Sequence, residues 1–193
     1  MDATPAEDES MARPTRSWIA GVALLALFGG CSSVSKPNNE NLTKAINDYY
    51  DSHPDCLFQQ GRHFPYEVAP GPDAKKDKKQ MDALTDAGLM TRLEDRSIHV
   101  DRYTLNAAGN RFGPRFCYGH RTVTSIDSFT PPAPHNGFNE TTVKYHYTMV
   151  EVPVWAKTDQ VKAAFPKMAN DLSGTASDQM NLATVGRGWQ VPE

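Results

Sequence analysis

An unbroken apolar run, Trp18-Ile-Ala-Gly-Val-Ala-Leu-Leu-Ala-Leu-Phe28, follows Arg13 and Arg16 and leads into Gly29-Gly30-Cys31. It constrains the fold by subtraction. A positive segment, a short hydrophobic stretch and small residues at a cut site describe a secretory signal, not a structural element. The stretch from Trp18 to Gly30 falls well short of the roughly 20 residues a helix needs to cross a bilayer. Residues 1–30 are therefore expected to leave the chain, so that the fold is built from residues 31–193. That length supports one domain, or two small ones, with a real core. Two other readings of the same residues stay open: a signal cut elsewhere with Cys31 incidental, and an uncleaved anchor. The acidic stretch Asp2 to Glu9 is unusual ahead of such a signal, and Met11 is an alternative start.

Small residues followed by cysteine, Gly29-Gly30-Cys31, resemble the lipobox of bacterial lipoproteins. That resemblance implies cleavage before Cys31, acylation of its thiol (palmitate being the usual chain) and attachment to a membrane through an N-terminal lipid anchor. Ser32, in place of Asp, resembles the outer-membrane sorting signal, which implies a periplasm-facing protein of the cell envelope. The whole chain also resembles the many small bacterial lipoproteins of uncharacterised function, and that class implies no activity.

Charge excludes some partners. The full sequence carries a formal net charge of −3. Losing Arg13 and Arg16 together with Asp2, Glu7, Asp8 and Glu9 leaves the remainder close to neutral, so no strong field recruits nucleic acid or an acidic substrate. Ser32 to Glu40 is polar and reads as a flexible tether.

Cys56 and Cys117 remain as an even pair in an oxidising compartment, where a disulfide is the default. A loop of this length would contribute about 4 kcal/mol in the chain-entropy view. His53-Pro-Asp-Cys56 and Cys117-Tyr-Gly-His120 also offer four ligands for a tetrahedral zinc ion, and free thiols are the third possibility. Oxidation in an exported chain favours the bridge.

The coarse pattern is α+β. A helix is expected from Asn39–Glu40 to Ser52, carrying Leu42, Ile46, Tyr49 and Tyr50 on one face and ended by His53-Pro54. Residues 54–73 read as loop. A second helix from Asp73 to Gly88 turns Met81, Leu84 and Ala87 inward, and the Lys75-Lys-Asp-Lys-Lys79 cluster reads as its solvated start, with the helix beginning after the lysines. Leu84-x-x-Ala87-Gly88-Leu89, followed by Arg102-Tyr-Thr-Leu-x-x-x-Gly109, resembles the end of a winged-helix module over residues 74–109. The resemblance implies a helix followed by a hairpin wing. In that family the helix reads DNA, a partner that a chain anchored outside the cytoplasm does not meet.

The second half alternates instead. Arg121 to Phe129 is β-branched, and Thr142 to Val152 places Val143, Tyr145, Tyr147 and Met149 on one face. Asp159 to Leu172 is helical, with Pro166 forcing a kink or a restart. Strands at 178–185 and 188–191 form a hairpin around Gly186-Arg-Gly188. The expected divisions are a signal at 1–30, a lipidated tether at 31–40, a small helical and winged part at 41–115, and an antiparallel sheet with one helix at 116–193.

No nucleophile elbow, P-loop, dinucleotide fingerprint or zincin motif occurs. No catalytic, cofactor or metal residue is therefore assigned, and the expected role is a non-catalytic binding or envelope-associated module with an envelope protein as a possible partner. Two alternatives are carried. A hydrolase using His63 and His120 would need a pocket joining them to a carboxylate. An inhibitor or immunity-type protein would expose a rigid loop, for which the proline-rich 130–138 segment tipped by Phe138 is the candidate.

Overall fold

A computed structural model describes residues 35–192. The signal segment and Cys31 lie outside the described residues, as does the first part of the tether. The tether is shorter than expected at its other end. Asn38 is the N-cap of α1 (Asn39–Ser52), its side chain accepting the Asn41 backbone N–H at 2.9 Å. A short polar side chain there satisfies one of the open amides at the helix start. Leu42, Ala45, Ile46 and Tyr50 of α1 are buried. Tyr49 is partly buried against the same core and also stacks on His53, with ring centroids 4.0 Å apart.

The remaining elements are β1 (Tyr66–Val68), α2 (Ala74–Asp86), β2 (Met90–Asp95), β3 (Val100–Leu105), β4 (His120–Phe129), β5 (Ala133–His135), β6 (Phe138–Val150), α3 (Asp159–Ala164), α4 (Pro166–Asp171), β7 (Ser177–Val185) and β8 (Gly188–Gln190). They form two antiparallel sheets, β1-β3-β2 and β4-β6-β7-β8, with β5 pairing to β6. This is the α+β fold the sequence implies.

Helix α2 followed by the β2–β3 hairpin has the expected order. Gly109 closes the turn beyond it, where a Cβ would come within 1.9 Å of the Leu89 carbonyl oxygen. Only a residue without a side chain fits so close an approach. Helix α2 begins at Ala74, before the lysine cluster and not after it, because two of those lysines are occupied. Lys78 pairs with Asp101, and Lys79 Nζ donates to the Ala163 carbonyl at 2.8 Å. Strand β1 was not expected within 54–73. It spans three residues, too few to show alternation, and pairs with β3 through Tyr66 opposite Tyr103.

In the second half, β6 begins at Phe138, ahead of the expected Thr142. The expected 130–138 loop is in fact a hairpin, β5 turning into β6 through Asn136 and Gly137 with φ of 48° and 84°. Left-handed conformations at both central residues suit a two-residue hairpin turn, and Asn-Gly is a strong signal for it. Val143, Tyr145 and Tyr147 of β6 are buried on one face, as their alternation implies. Pro166 restarts the helix, splitting it into α3 and α4. A proline at the first helical position removes an amide that would have lacked a partner anyway.

The packing does not follow the expected division at 115/116. One core joins Leu42, Ile46 and Tyr50 of α1 to Val143, Tyr145, Leu182 and Trp189 of the larger sheet. The other joins α2 and the smaller sheet to Trp155, Val161, Phe165 and Met168. Each half of the chain therefore lends a helical segment to the other half's sheet, and the described residues belong to one unit. Periodicity reveals which face of a helix is apolar but not which sheet it covers.

Candidate functional site

The segment that follows α1 is clamped to the segment that precedes β4. Leu57 N–H donates to the Phe116 carbonyl at 3.1 Å, Phe58 N–H to Arg115 at 3.1 Å, and Arg62 N–H to Pro114 at 3.0 Å. Cys56 faces Cys117 in an antiparallel bridge, and their sulfurs are bonded. The expected disulfide is thus present, which corrects the zinc alternative: bonded sulfurs cannot supply thiolates to a metal. His53 is also turned away, its Nδ1 lying 2.8 Å from the Tyr49 carbonyl. Among the described residues, no group of three or more His, Cys, Asp or Glu is placed to hold a metal ion.

Beside the clamp lies a buried ion network that the sequence reading missed. Arg121 and Asp55 are 6% and 7% exposed. Arg121 Nε donates to Asp55 Oδ2 at 2.8 Å, Nη2 to Asp55 Oδ1 at 3.2 Å, and Nη1 to Asp178 Oδ2 at 2.5 Å. The guanidinium also lies between the rings of Tyr50 and Tyr147, 4.9 and 4.5 Å from their centroids. Burial opposes its charge, but the bonds to Asp55 and Asp178 hold the guanidinium protonated, above its ordinary range.

Asp171, also buried, accepts from Tyr118 O–H at 2.6 Å, Tyr147 O–H at 2.8 Å and Lys167 Nζ at 2.8 Å. Burial again works against the charge, yet the bonds from Lys167, Tyr118 and Tyr147 hold the carboxyl below the usual carboxylate range. The two phenols respond in the opposite sense: burial first, then the bond to Asp171, pushes Tyr118 and Tyr147 well above the ordinary phenol range. Lys167 Nζ, 3.5 Å from Asp55 Oδ1, links the two carboxylates. Both Asp55 and Asp171 spend their oxygens on these partners, so neither stands ready as a free base. One signal was readable: Arg121 and Val123 share a face of β4, which marks an inward-pointing charge.

A cavity of about 460 Å³ opens on the other side of the clamp, lined by Arg62, His63, Phe64, Leu105, Asn110 and Pro114 among others. Arg62 is already engaged there. Its guanidinium covers the Phe58 and Tyr66 rings at 4.9 and 4.6 Å and pairs with Asp77 at 3.5 Å. His63 is thus the one titratable group the cleft offers that no partner holds among those lining residues. A smaller cavity of about 240 Å³ reaches the ion network past His53, Gln59 and Met180.

The structure does not bring His63 and His120 together in this cleft: the residues lining it include neither His120 nor a carboxylate. His120 sits at the start of β4, its Nε2 3.6 Å from Asp51 and its Nδ1 3.7 Å from Glu151, contacts too long for hydrogen bonds. The pocket that a two-histidine hydrolase would need is not formed there. What the cleft presents is a mixed lining, with Phe64, Pro65, Leu105 and Pro114 beside Gln60, Arg62, His63, Thr104 and Asn110, a surface that can hold a ligand by both apolar and polar contact. Among the described residues, no helix is long and apolar enough to cross a membrane. No family model matches the chain, and no curated protein or solved structure is significantly similar to it.

Proposed function

We propose that the chain is a lipoprotein of the bacterial cell envelope, held by an acylated Cys31 at a membrane, the outer one by its Ser32, and facing the periplasm. Its role is to bind and not to catalyse, and its partner is another envelope component. The observation that carries this reading is the order of residues from Arg13 to Ser33: basic residues, a short apolar run, Gly29-Gly30 and then cysteine. The Cys56–Cys117 bridge supports it, because such bonds persist in oxidising compartments. The near-neutral charge of residues 31–193 supports the absence of a nucleic-acid partner. The His63 cleft, of mixed polar and apolar lining and without a carboxylate, supports binding over hydrolysis.

Intact mass of the protein purified from its native membranes tests the proposal. The expected mass is that of residues 31–193 with fatty acyl groups added at the terminus and two hydrogens lost to the bridge. A species that retains residues 1–30 and an unmodified Cys31 would overturn the anchor.

A further inference from the structure

We infer that one end of the larger sheet, the pair of hairpin tips carrying Phe138 and Val185, rests on the bilayer to which Cys31 is anchored. This rests on the lipoprotein reading above.

Strand β6 begins at Phe138 and β7 ends at Val185, so the turns at 136–137 and 186–187 lie at the same end of the sheet. Thr184 Oγ1 accepts the Asn139 backbone N–H at 3.2 Å, and one step further along that register sets Phe138 beside Val185. Both are exposed, at 48% and 39%. Around them stand exposed Pro134, His135 and Arg187. The nearby acid Glu140 is paired with His135 at 3.0 Å. An aromatic and a branched aliphatic, flanked by basic and uncharged residues, compose a surface suited to a headgroup layer.

The position of the chain's entry selects the membrane as the occupant. Trp189 Nε1 donates to the Lys36 carbonyl at 3.3 Å, and Trp189 lies opposite Thr184 in the β7–β8 pair. The described chain therefore begins beside this end of the sheet, with β6 only two strand spacings, about 10 Å, from β8. From Cys31 to Ser35 there are so few residues that full extension reaches at most about 14 Å. An acylated Cys31 in the headgroup layer keeps this end within reach of the surface. Of the other exposed apolar side chains, Leu93 and Ile98 lie on the β2–β3 hairpin and Val154 follows the opposite end of β6, and none has such a tie to the anchor.

The test uses the full chain, processed in its host, purified and placed in phosphatidylethanolamine–phosphatidylglycerol vesicles containing acyl-chain nitroxide lipids. Phe138→Cys, Val185→Cys and Ile98→Cys are each labelled with a thiol-reactive fluorophore. With Cys31 acylated and Cys56 bonded to Cys117, each variant takes one label per chain. The expected result is loss of most emission at positions 138 and 185 and retained emission at position 98. One label per chain with equal emission at all three positions overturns the docked tip while leaving the anchor standing. Two labels per chain mean a bare Cys31, which removes the anchor and this inference with it.

Discussion

Arg121 and Val123 point to the same side of β4, and the charged one is the better buried of the two. A guanidinium in that position is tolerated because two aspartates and two aromatic rings replace the water it gives up. Arg121→Ala removes the cation and leaves Asp55 inside the protein with only the distant Lys167 ammonium, at 3.5 Å. The expected cost is roughly 3–5 kcal/mol, read as a lower urea midpoint.

Asp171 ties stability to pH. Its folded-state pKa is depressed below the unfolded value of about 3.9, so its contribution is present above that value and is lost as pH falls through the folded one. Urea unfolding at pH 7 and at pH 3 should therefore show Asp171→Asn less stable than wild type at pH 7, with a smaller loss on acidification. An equal acid loss in both proteins would remove Asp171 from this role. The inward parity of Arg121 was visible in the sequence. Its partners were not, because Asp55 and Asp178 lie far from it along the chain and no local spacing connects them.

At the level of elements, what local physics dictates was legible. The alternation of Val143, Tyr145 and Tyr147, the restart at Pro166 and the Gly186-Arg187 turn all describe the chain as it folds. The errors have two sources. Strand β1 is too short to carry a pattern, and it exists because β3 offers it an edge. In the 130–138 segment the prolines imply a loop, while Asn136-Gly137 set a hairpin turn. The clamp between 56–62 and 114–117 also has no periodic signal, yet it ties the segment after α1 to the one before β4. The bridge closes a loop of 61 residues, and the paired change Cys56→Ala with Cys117→Ala is expected to cost about 2–5 kcal/mol. Denaturant titration of oxidised wild type against the double variant measures it. A change well under 1 kcal/mol would mean that the backbone pairing alone holds the clamp.

Across the whole molecule, the two cores are each assembled from distant stretches: α1 covers a sheet completed only at β8, and the core around α2 and the smaller sheet is completed only by Trp155 to Met168. A two-part division of the sequence follows from the alternating pattern that dominates after residue 115, but packing crosses that point in both directions. Binding, in the reading advanced above, falls to the cleft at His63 beside this crossing, with the anchored end of the larger sheet set by the chain's entry at Lys36. The crossing has a consequence for synthesis. A polypeptide emerging amino-terminus first cannot complete either core until its final quarter has been made. Until then both cores lack a wall, and an unfinished core suits the passage through a narrow export channel that the proposed lipoprotein reading requires.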